Sequence, residues 1–364
     1  MSDLTILLVT KNRYDYLKRW LNFANLNNFE SNIFIADGSS NQEYKKSKIN
    51  LNDYLNLKIK YNKYSEDKSF TDMYNKVVDS LTQVKTKYCV WADDDDFFFE
   101  KGLNESIKFL KSNQDYSSCR KLTGDFDVIQ SKRKGSDLKY NQYGEVTNLC
   151  LHNYPVFSNQ ISFEDNDIFK RLEKYTLTKN FTWYDVHTTK HMLFLWKTIQ
   201  KFNFQNILLT ETALDFLNII SGKVKRFSNI SDTLYLLRQY PPKESVAVNF
   251  RKEKGDVLEQ FFDNAWSAEY NNFVSTISSL AQKNTGLDKK TCKKIIIKCF
   301  RNYYKKAVYN CFDKTKNKKN KVQMTLLQFY KYFYKILLYK DKFMIKFLKK
   351  NKNYDYLIFK NFFN

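Results

Sequence analysis

Short, uninterrupted apolar runs alternate with stretches where apolar residues recur every three or four positions, and this alternation organises the first hundred residues. Leu4-Thr5-Ile6-Leu7-Leu8-Val9 is almost wholly apolar and stops at Thr10-Lys11-Asn12-Arg13, the pattern of a strand covered on both faces. Tyr14, Leu17, Trp20, Leu21 and Ala24 follow at helical spacing, and Ile33-Phe34-Ile35-Ala36 predicts a second strand running into the polar turn Asp37-Gly38-Ser39-Ser40. Leu57 to Tyr61 predicts a third strand. Phe70, Met73, Val77, Val78 and Leu81 mark a second helix, and Tyr88-Cys89-Val90-Trp91-Ala92 a fourth strand that ends in Asp93-Asp94-Asp95-Asp96. Such alternation predicts a doubly wound α/β domain, in which ligands sit beyond the carboxyl ends of the strands. Thr10, Asp37 and the aspartate run all fall at such ends.

The pattern continues with a helix from about Glu100 to Ser112, whereas 119–170 holds strand-like pieces such as Phe126-Asp127-Val128-Ile129 in no predictable order. Thr188 to Phe202 and Thr210 to Ile220 predict helices, Tyr235-Leu236-Leu237-Arg238 a strand or a helix start, and Pro241-Pro242 a boundary. Beyond it three helical segments are expected, at about Val257 to Gln282, Lys289 to Phe312 and Gln323 to Lys350. In the middle one Cys292, Ile295, Ile296, Cys299, Phe300, Tyr303, Ala307 and Val308 share one side, and Lys290, Lys294, Lys298, Arg301 and Lys305 another. The expected division is therefore 1–240 for the α/β domain, with halves 1–100 and 101–240, and 241–364 for a helical, lysine-rich region.

Charge sharpens that division. The formal net charge of +22 is concentrated in residues 288–364, which hold 22 Lys and Arg against four Asp and Glu. Any attraction for polyanions or anionic membranes must come mainly from that segment. An AT-rich coding bias explains abundant lysine but not its confinement. The six cysteines form no CxxC pair and no secretory segment is recognisable, so free thiols in a reducing compartment are expected. No run of 18 apolar residues occurs, which predicts no membrane span.

Four consecutive carboxylates after a buried strand repel one another, and a bound cation is the usual remedy. Oxygen-only ligands favour a hard ion, Mg²⁺ or Mn²⁺, which keeps positions for water and substrate phosphates. A solvated acidic turn is the alternative for Asp93 to Asp96, and ordinary turn chemistry for Asp37. A phosphatase of the haloacid dehalogenase type would carry its DxD on the first strand, whereas here it follows the fourth.

The segments 4–13, 35–40 and 91–96, in that order and at about those distances, resemble glycosyltransferase family two. The resemblance covers roughly residues 4 to 100 well and the rest in outline. It implies a GT-A fold, a Rossmann-like and mostly parallel sheet flanked by helices, followed here by the helical C-terminal region. It also implies a nucleotide diphosphate sugar as donor, bound through Thr10, Asn12, Arg13, Asp37 and Asp94, with Mn²⁺ or Mg²⁺ at Asp93, Asp95 and Asp96.

An inverting transfer needs a carboxylate to take the acceptor hydroxyl's proton. Glu211 and Asp185 are the expected candidates, with an exposed acid of a helix's first turn as the alternative for either. His187 and His191, four apart, match a zinc spacing but lack the glutamate of HExxH, so packing or a hydrogen bond is the expectation. Gly124-Asp125 either shapes an acceptor pocket or forms a turn. No clear QxxRW pattern is present, which favours transfer of single sugars over polymer synthesis.

The basic helices admit packing onto the catalytic domain, contact with an anionic membrane surface through 288–364, or nucleic-acid binding, the last unsupported by any motif. The expected function is thus glycosyl transfer to a glycan or lipid-linked acceptor in surface polysaccharide synthesis. A cytoplasmic location is expected, peripheral on the inner face of the membrane. The alternative is a non-catalytic polyanion- or membrane-binding protein on a degenerate transferase scaffold.

Overall fold

A computed structural model describes residues 2–47, 49–129, 145–152, 160–178, 181–229, 232–239, 250, 253–254 and 266–316. The first part alternates as the apolar pattern requires: β1 (Leu4–Thr10), α1 (Tyr14–Leu26), β2 (Asn32–Asp37), α2 (Asn41–Ser47), β3 (Lys58–Lys63), α3 (Phe70–Gln83) and β4 (Tyr88–Asp93). Then come β5 (Phe97–Phe98), α4 (Glu100–Ser112), β6 (Tyr116–Arg120), β7 (Leu122–Ile129), β8 (Glu145–Leu151), α5 (Ile168–Thr178) and β9 (Val186–Thr188). The remainder is α6 (Thr189–Phe202), α7 (Ile207–Ser221), β10 (Lys223–Arg226), β11 (Leu234–Gln239), α8 (Ser267–Thr285) and α9 (Lys289–Lys316).

Among the described residues the main sheet has the order β10-β6-β9-β4-β1-β2-β3. β1 lies parallel between β2 and β4, β3 continues the parallel set, and β10 runs parallel to β6. Only β9 is antiparallel to its neighbours β4 and β6. Leu4, Ile6, Leu7 and Leu8 are fully buried, as a central strand with helices on both faces must be. Helix α3 opens with a capping box between Ser69 and Asp72, and its Tyr74 faces Trp196 of α6, centroids 6.4 Å apart. Trp196 in turn stacks on Trp91 of β4 at 4.8 Å and 16°, fixing the helix layer against the strand that carries the aspartates.

A second sheet, order β5-β11-β7-β8, stands beyond the end of β4. β5 begins directly after the aspartates and pairs antiparallel with β11, Leu237 opposite Phe97. β11 then runs parallel to β7, and β7 antiparallel to β8. The segment Tyr235 to Arg238 is thus strand. The region 119–170, unordered in the sequence pattern, supplies β7, β8, part of α5 and the end of β6.

The C-terminal helices complete the core. Phe273 of α8 packs edge-on against Phe216 of α7 at 5.4 Å, and Tyr303 of α9 stacks on Tyr175 of α5 at 5.5 Å and 11°. Cys292, Ile296, Cys299 and Phe300 are buried, while Lys289, Lys290, Lys293, Lys294, Lys298 and Arg301 face solvent. The described part of α9 is therefore a basic amphipathic helix packed through its apolar side. The side chains of Lys305, Ala307 and Val308 lie outside the described residues, as do Pro241-Pro242 and the helix expected over 323–350. Among the described residues no helix is long and apolar enough to cross a membrane.

Candidate active site

The loops after β1 and β2 are joined by Asn12. Its backbone adopts φ 55°, a left-handed conformation that Asn tolerates. From there its N–H donates to Ser39 Oγ at 2.7 Å and its Oδ1 accepts from Ser40 N–H at 2.9 Å. Gly38 sits between them, its N–H donating to Thr10 O at 3.0 Å. A Cβ at Gly38 would fall on the Asp67 carboxylate, which pairs with the buried Lys76, so no larger residue fits without displacing that pair.

Asp37 is fully buried with both oxygens occupied. Oδ2 accepts from Tyr14 at 2.6 Å and from the Tyr61 hydroxyl, and Oδ1 accepts from Ser39 N–H at 2.8 Å. Burial, reinforced by the bond to Asp37, pushes the Tyr14 hydroxyl up to about 12. Asp37 thus braces the loop from below. Beside it Tyr44, 44% exposed, stacks on Tyr61 at 6.4 Å and 26° with Lys63 near its ring. An aromatic ring next to a cation is the kind of surface on which a planar base can stack.

The four aspartates diverge. Asp93 accepts from Trp91 Nε1 at 2.8 Å and from the Tyr184 hydroxyl. Asp94 turns toward β1, accepting from Thr10 Oγ1 at 2.7 Å and pairing with Arg13 Nη1 at 2.8 Å. Arg13 Nη2 bonds Asp95 at 2.7 Å. Asp96 turns toward the second sheet, accepting from Arg238 Nε and from the Gln239 N–H, each at 3.1 Å. Carboxylate oxygens of Asp93, Asp95 and Asp96 nevertheless lie within 4.8 Å of one another, and these form the one such group of possible ion ligands among the described residues.

Their electrostatics follow from crowding in a dry place. Asp94, Asp95 and Asp96 are 2%, 5% and 2% exposed. Burial, then repulsion from Asp95, raises Asp93 above the ordinary carboxylate range. Burial raises Asp94 to about 7 despite Arg13, and holds Asp96 well above the ordinary carboxylate range despite Arg238. Burial alone would lower Arg13, but Asp94 and Asp95 outweigh it and hold the guanidinium charge firmly. Arg13 and Arg238 bond carboxylate oxygens of the run, while Arg19 bonds the Asp95 carbonyl at 3.5 Å and Gln239 Oε1 at 2.8 Å. Three crowded oxygen donors, two of them buried and Asp93 half-buried, fit a hard divalent cation such as Mn²⁺ or Mg²⁺.

The two carboxylates expected as bases occupy different settings. Asp185 is fully enclosed. It accepts from Ser118 Oγ at 2.7 Å and from Arg226 Nη1, with Arg120 Nε 3.9 Å away. It thus forms a fully buried ion pair with Arg226. Glu211, half-buried, stands near the start of α7, where Thr210 meets Tyr74 of α3 at 2.7 Å.

The two histidines are packing residues. His187 is fully buried with Nε2 3.1 Å from Thr182 O, and His191 Nε2 lies 2.9 Å from Asn218 Oδ1. Burial, with His191 adding repulsion, pushes His187 down to about 3. Gly124-Asp125 lies within β7 rather than in a turn.

Sequence patterns offered Asp125 only as part of an acceptor pocket or a turn, and missed Tyr184, Arg238, Gln239 and His152. None has a local signal, because each is brought to the aspartates by long-range strand pairing.

No protein-family model matches the chain, and no curated protein matches it. Among solved structures it is similar to residues 1–349 of TarS from S. aureus: 12% identity, TM-score 0.46, covering 93% of this chain and 82% of that one. The same TarS fragment in complex with UDP-GlcNAc gives 14% identity and TM-score 0.46 over 87% and 77% of the two chains. The mannosyltransferase PcManGT from Pyrobaculum calidifontis, in complex with GDP-Man and Mn²⁺, gives 9% identity and TM-score 0.40 over 93% and 88%. At these values the likeness is one of outline, and the site must be interpreted from its own geometry.

Proposed function

We propose that this chain is a glycosyltransferase that moves a sugar from a nucleoside diphosphate donor, with Mn²⁺ or Mg²⁺ held by Asp93, Asp95 and Asp96. The observation that carries the proposal is the convergence of those three carboxylates at the end of β4, beside the joined loops of β1 and β2. A bound divalent cation neutralises charge on a departing diphosphate. The chain's own residues supply the rest. Arg13, paired with Asp94 and Asp95, stands ready for phosphate oxygens, and Thr10 fixes Asp94. Asn12 and Asp37 hold the loops in register, with the Tyr44 and Tyr61 rings beside them as the surface for the base.

The finer terms of the proposal are inversion at the anomeric carbon, a glycan or lipid-linked acceptor, and a role in surface polysaccharide synthesis at the cytoplasmic face of a membrane. The exposed lysine face of α9 supports the membrane term, since each basic residue near an anionic leaflet contributes about 1 kcal/mol. Under this proposal 1–240 is the catalytic unit and 241–364 its helical support. Inversion requires a carboxylate facing the acceptor, for which Glu211, Asp185 and Asp125 are the candidates.

The test is release of nucleoside diphosphate from nucleotide sugars by the purified chain. Release is expected only with Mn²⁺ or Mg²⁺, and is expected to fall at least a hundredfold in Asp95→Asn, in line with the usual weight of electrostatic stabilisation. Equal release in the presence of a chelator contradicts it.

A further inference from the structure

On the strand next to Arg238 a carboxylate is held by an imidazole with one oxygen left open. Asp125 of β7 is the register partner of Arg238 in β11, so their side chains share one face about 5 Å apart. Arg238 bonds Asp96 at 3.1 Å and stacks on the Tyr184 ring at 4.5 Å, and Tyr184 bonds Asp93. Asp125 therefore stands one strand away from the candidate metal ligands. His152, just beyond β8, donates from Nε2 to Asp125 Oδ2 at 2.8 Å, while its Nδ1 lies 3.3 Å from Thr123 Oγ1. The Asp125 side chain is 33% exposed and that of His152 13%. The pair thus opens to solvent at Asp125.

The close approach that creates the pair depends on Gly124. A Cβ there would meet Cys150 O of β8 at 2.7 Å, so only glycine lets β8 come near enough to place His152. The next residue, Phe126, is fully buried and anchors β7 in the core. This strand presents Asp125 on rigid backbone, as a proton acceptor needs.

We infer that Asp125 is the catalytic base of the transfer and His152 its positioning residue, an inference that rests on the glycosyltransferase proposal. The acceptor oxygen bonds to the anomeric carbon, the bond from that carbon to the diphosphate oxygen breaks, and its electron pair leaves with the nucleoside diphosphate. The hydroxyl proton passes to Asp125 Oδ1.

The experiment compares water and azide as acceptors, with UDP-GlcNAc and GDP-mannose as donor probes and Mn²⁺ present. Azide brings no proton, so its transfer needs no base. Asp125→Asn is expected to slow donor hydrolysis about a hundredfold or more, with transfer to azide and nucleotide affinity each kept within about threefold. Asp125→Glu should recover part of the hydrolysis, and His152→Gln should lower its kcat about tenfold with KM for donor unchanged. Equal loss with both acceptors, no loss in Asp125→Asn, or an acceptor-specific loss in Glu211→Gln instead overturns the assignment. So does nucleotide binding without any turnover by the wild-type chain. Absence of metal-dependent nucleotide binding removes the underlying proposal itself, a result distinct from the others.

Discussion

Arg238 reaches back 142 residues to Asp96, Nε to Oδ2 at 3.1 Å, and joins the second sheet to the aspartate cluster. The same guanidinium donates to the Tyr184 hydroxyl at 3.3 Å. One side chain thereby touches Asp96 itself and the hydrogen-bond partner of Asp93, and the far half of the chain closes the site that the near half begins.

Replacing that arginine should expose the charge imbalance. Arg238→Met leaves Asp96 buried beside Asp93 and Asp95 with only the Gln239 N–H. Loss of a charged hydrogen bond at a site one-third exposed is expected to cost about 2 kcal/mol. Millimolar Mn²⁺ should restore more stability to the variant than to the wild-type chain, because the cation replaces the missing positive charge. Urea denaturation with and without Mn²⁺ checks both points, and equal effects of the ion on the two proteins would count against a cation at these residues.

Thr10→Val keeps the shape of the side chain while removing the donor to Asp94 Oδ2. A buried carboxylate oxygen deprived of a partner costs about 1–3 kcal/mol. The same variant should bind nucleoside diphosphate more weakly, since Asp94 positions Arg13. Unchanged stability would show that Asp94 is not fixed by β1.

The buried imidazole of His187 gives a signature in pH. Its folded-state value is about 3 against an ordinary 6.5, so between those limits the unfolded chain binds a proton that the folded chain refuses. Stability therefore falls as pH drops below 6.5, with a slope from this side chain that approaches about 1.4 kcal/mol per pH unit. Above 6.5 both states are neutral and the contribution vanishes. Guanidinium titrations of wild type and His187→Gln from pH 7 down to 5 should give a visibly shallower slope for the variant; parallel slopes would place His187 in contact with solvent.

Gly124→Ala should loosen the second sheet. Its new methyl meets the Cys150 carbonyl, a backbone atom with little room to yield, and overpacking of this kind costs about 1–3 kcal/mol. A thermal scan reads the loss, and an unchanged midpoint would show that β8 does not lie as close to β7 as described.

Much of the first half was legible because its strands are covered on both faces. Leu4 to Val9, Ile33 to Ala36 and Tyr88 to Ala92 are continuous apolar runs, and burial on both sides is what such runs require. The aspartate run was visible for the same reason, as an abrupt change of chemistry at a strand end. Legibility failed where strands are short and polar. Tyr116–Arg120, Val186–Thr188 and Lys223–Arg226 show no sustained alternation, and their pairing is fixed by neighbours far away in sequence. Phe97-Phe98 is too brief to announce a strand, yet it forms the edge of the sheet that carries Arg238 and Asp125. Asp37 was visible at its strand end, but its burial was not, because Tyr61 comes from 24 residues later.

The most direct measurement is calorimetric titration of UDP, GDP and CDP into the purified chain with and without Mn²⁺, repeated on Asp95→Asn with folding verified by its melting temperature. The account predicts that one of these nucleotides binds only when Mn²⁺ is present, and that the variant loses this binding while remaining folded. Failure of all three to bind with Mn²⁺, or binding indifferent to both the ion and Asp95, would contradict a metal-dependent nucleotide-sugar site at the end of β4.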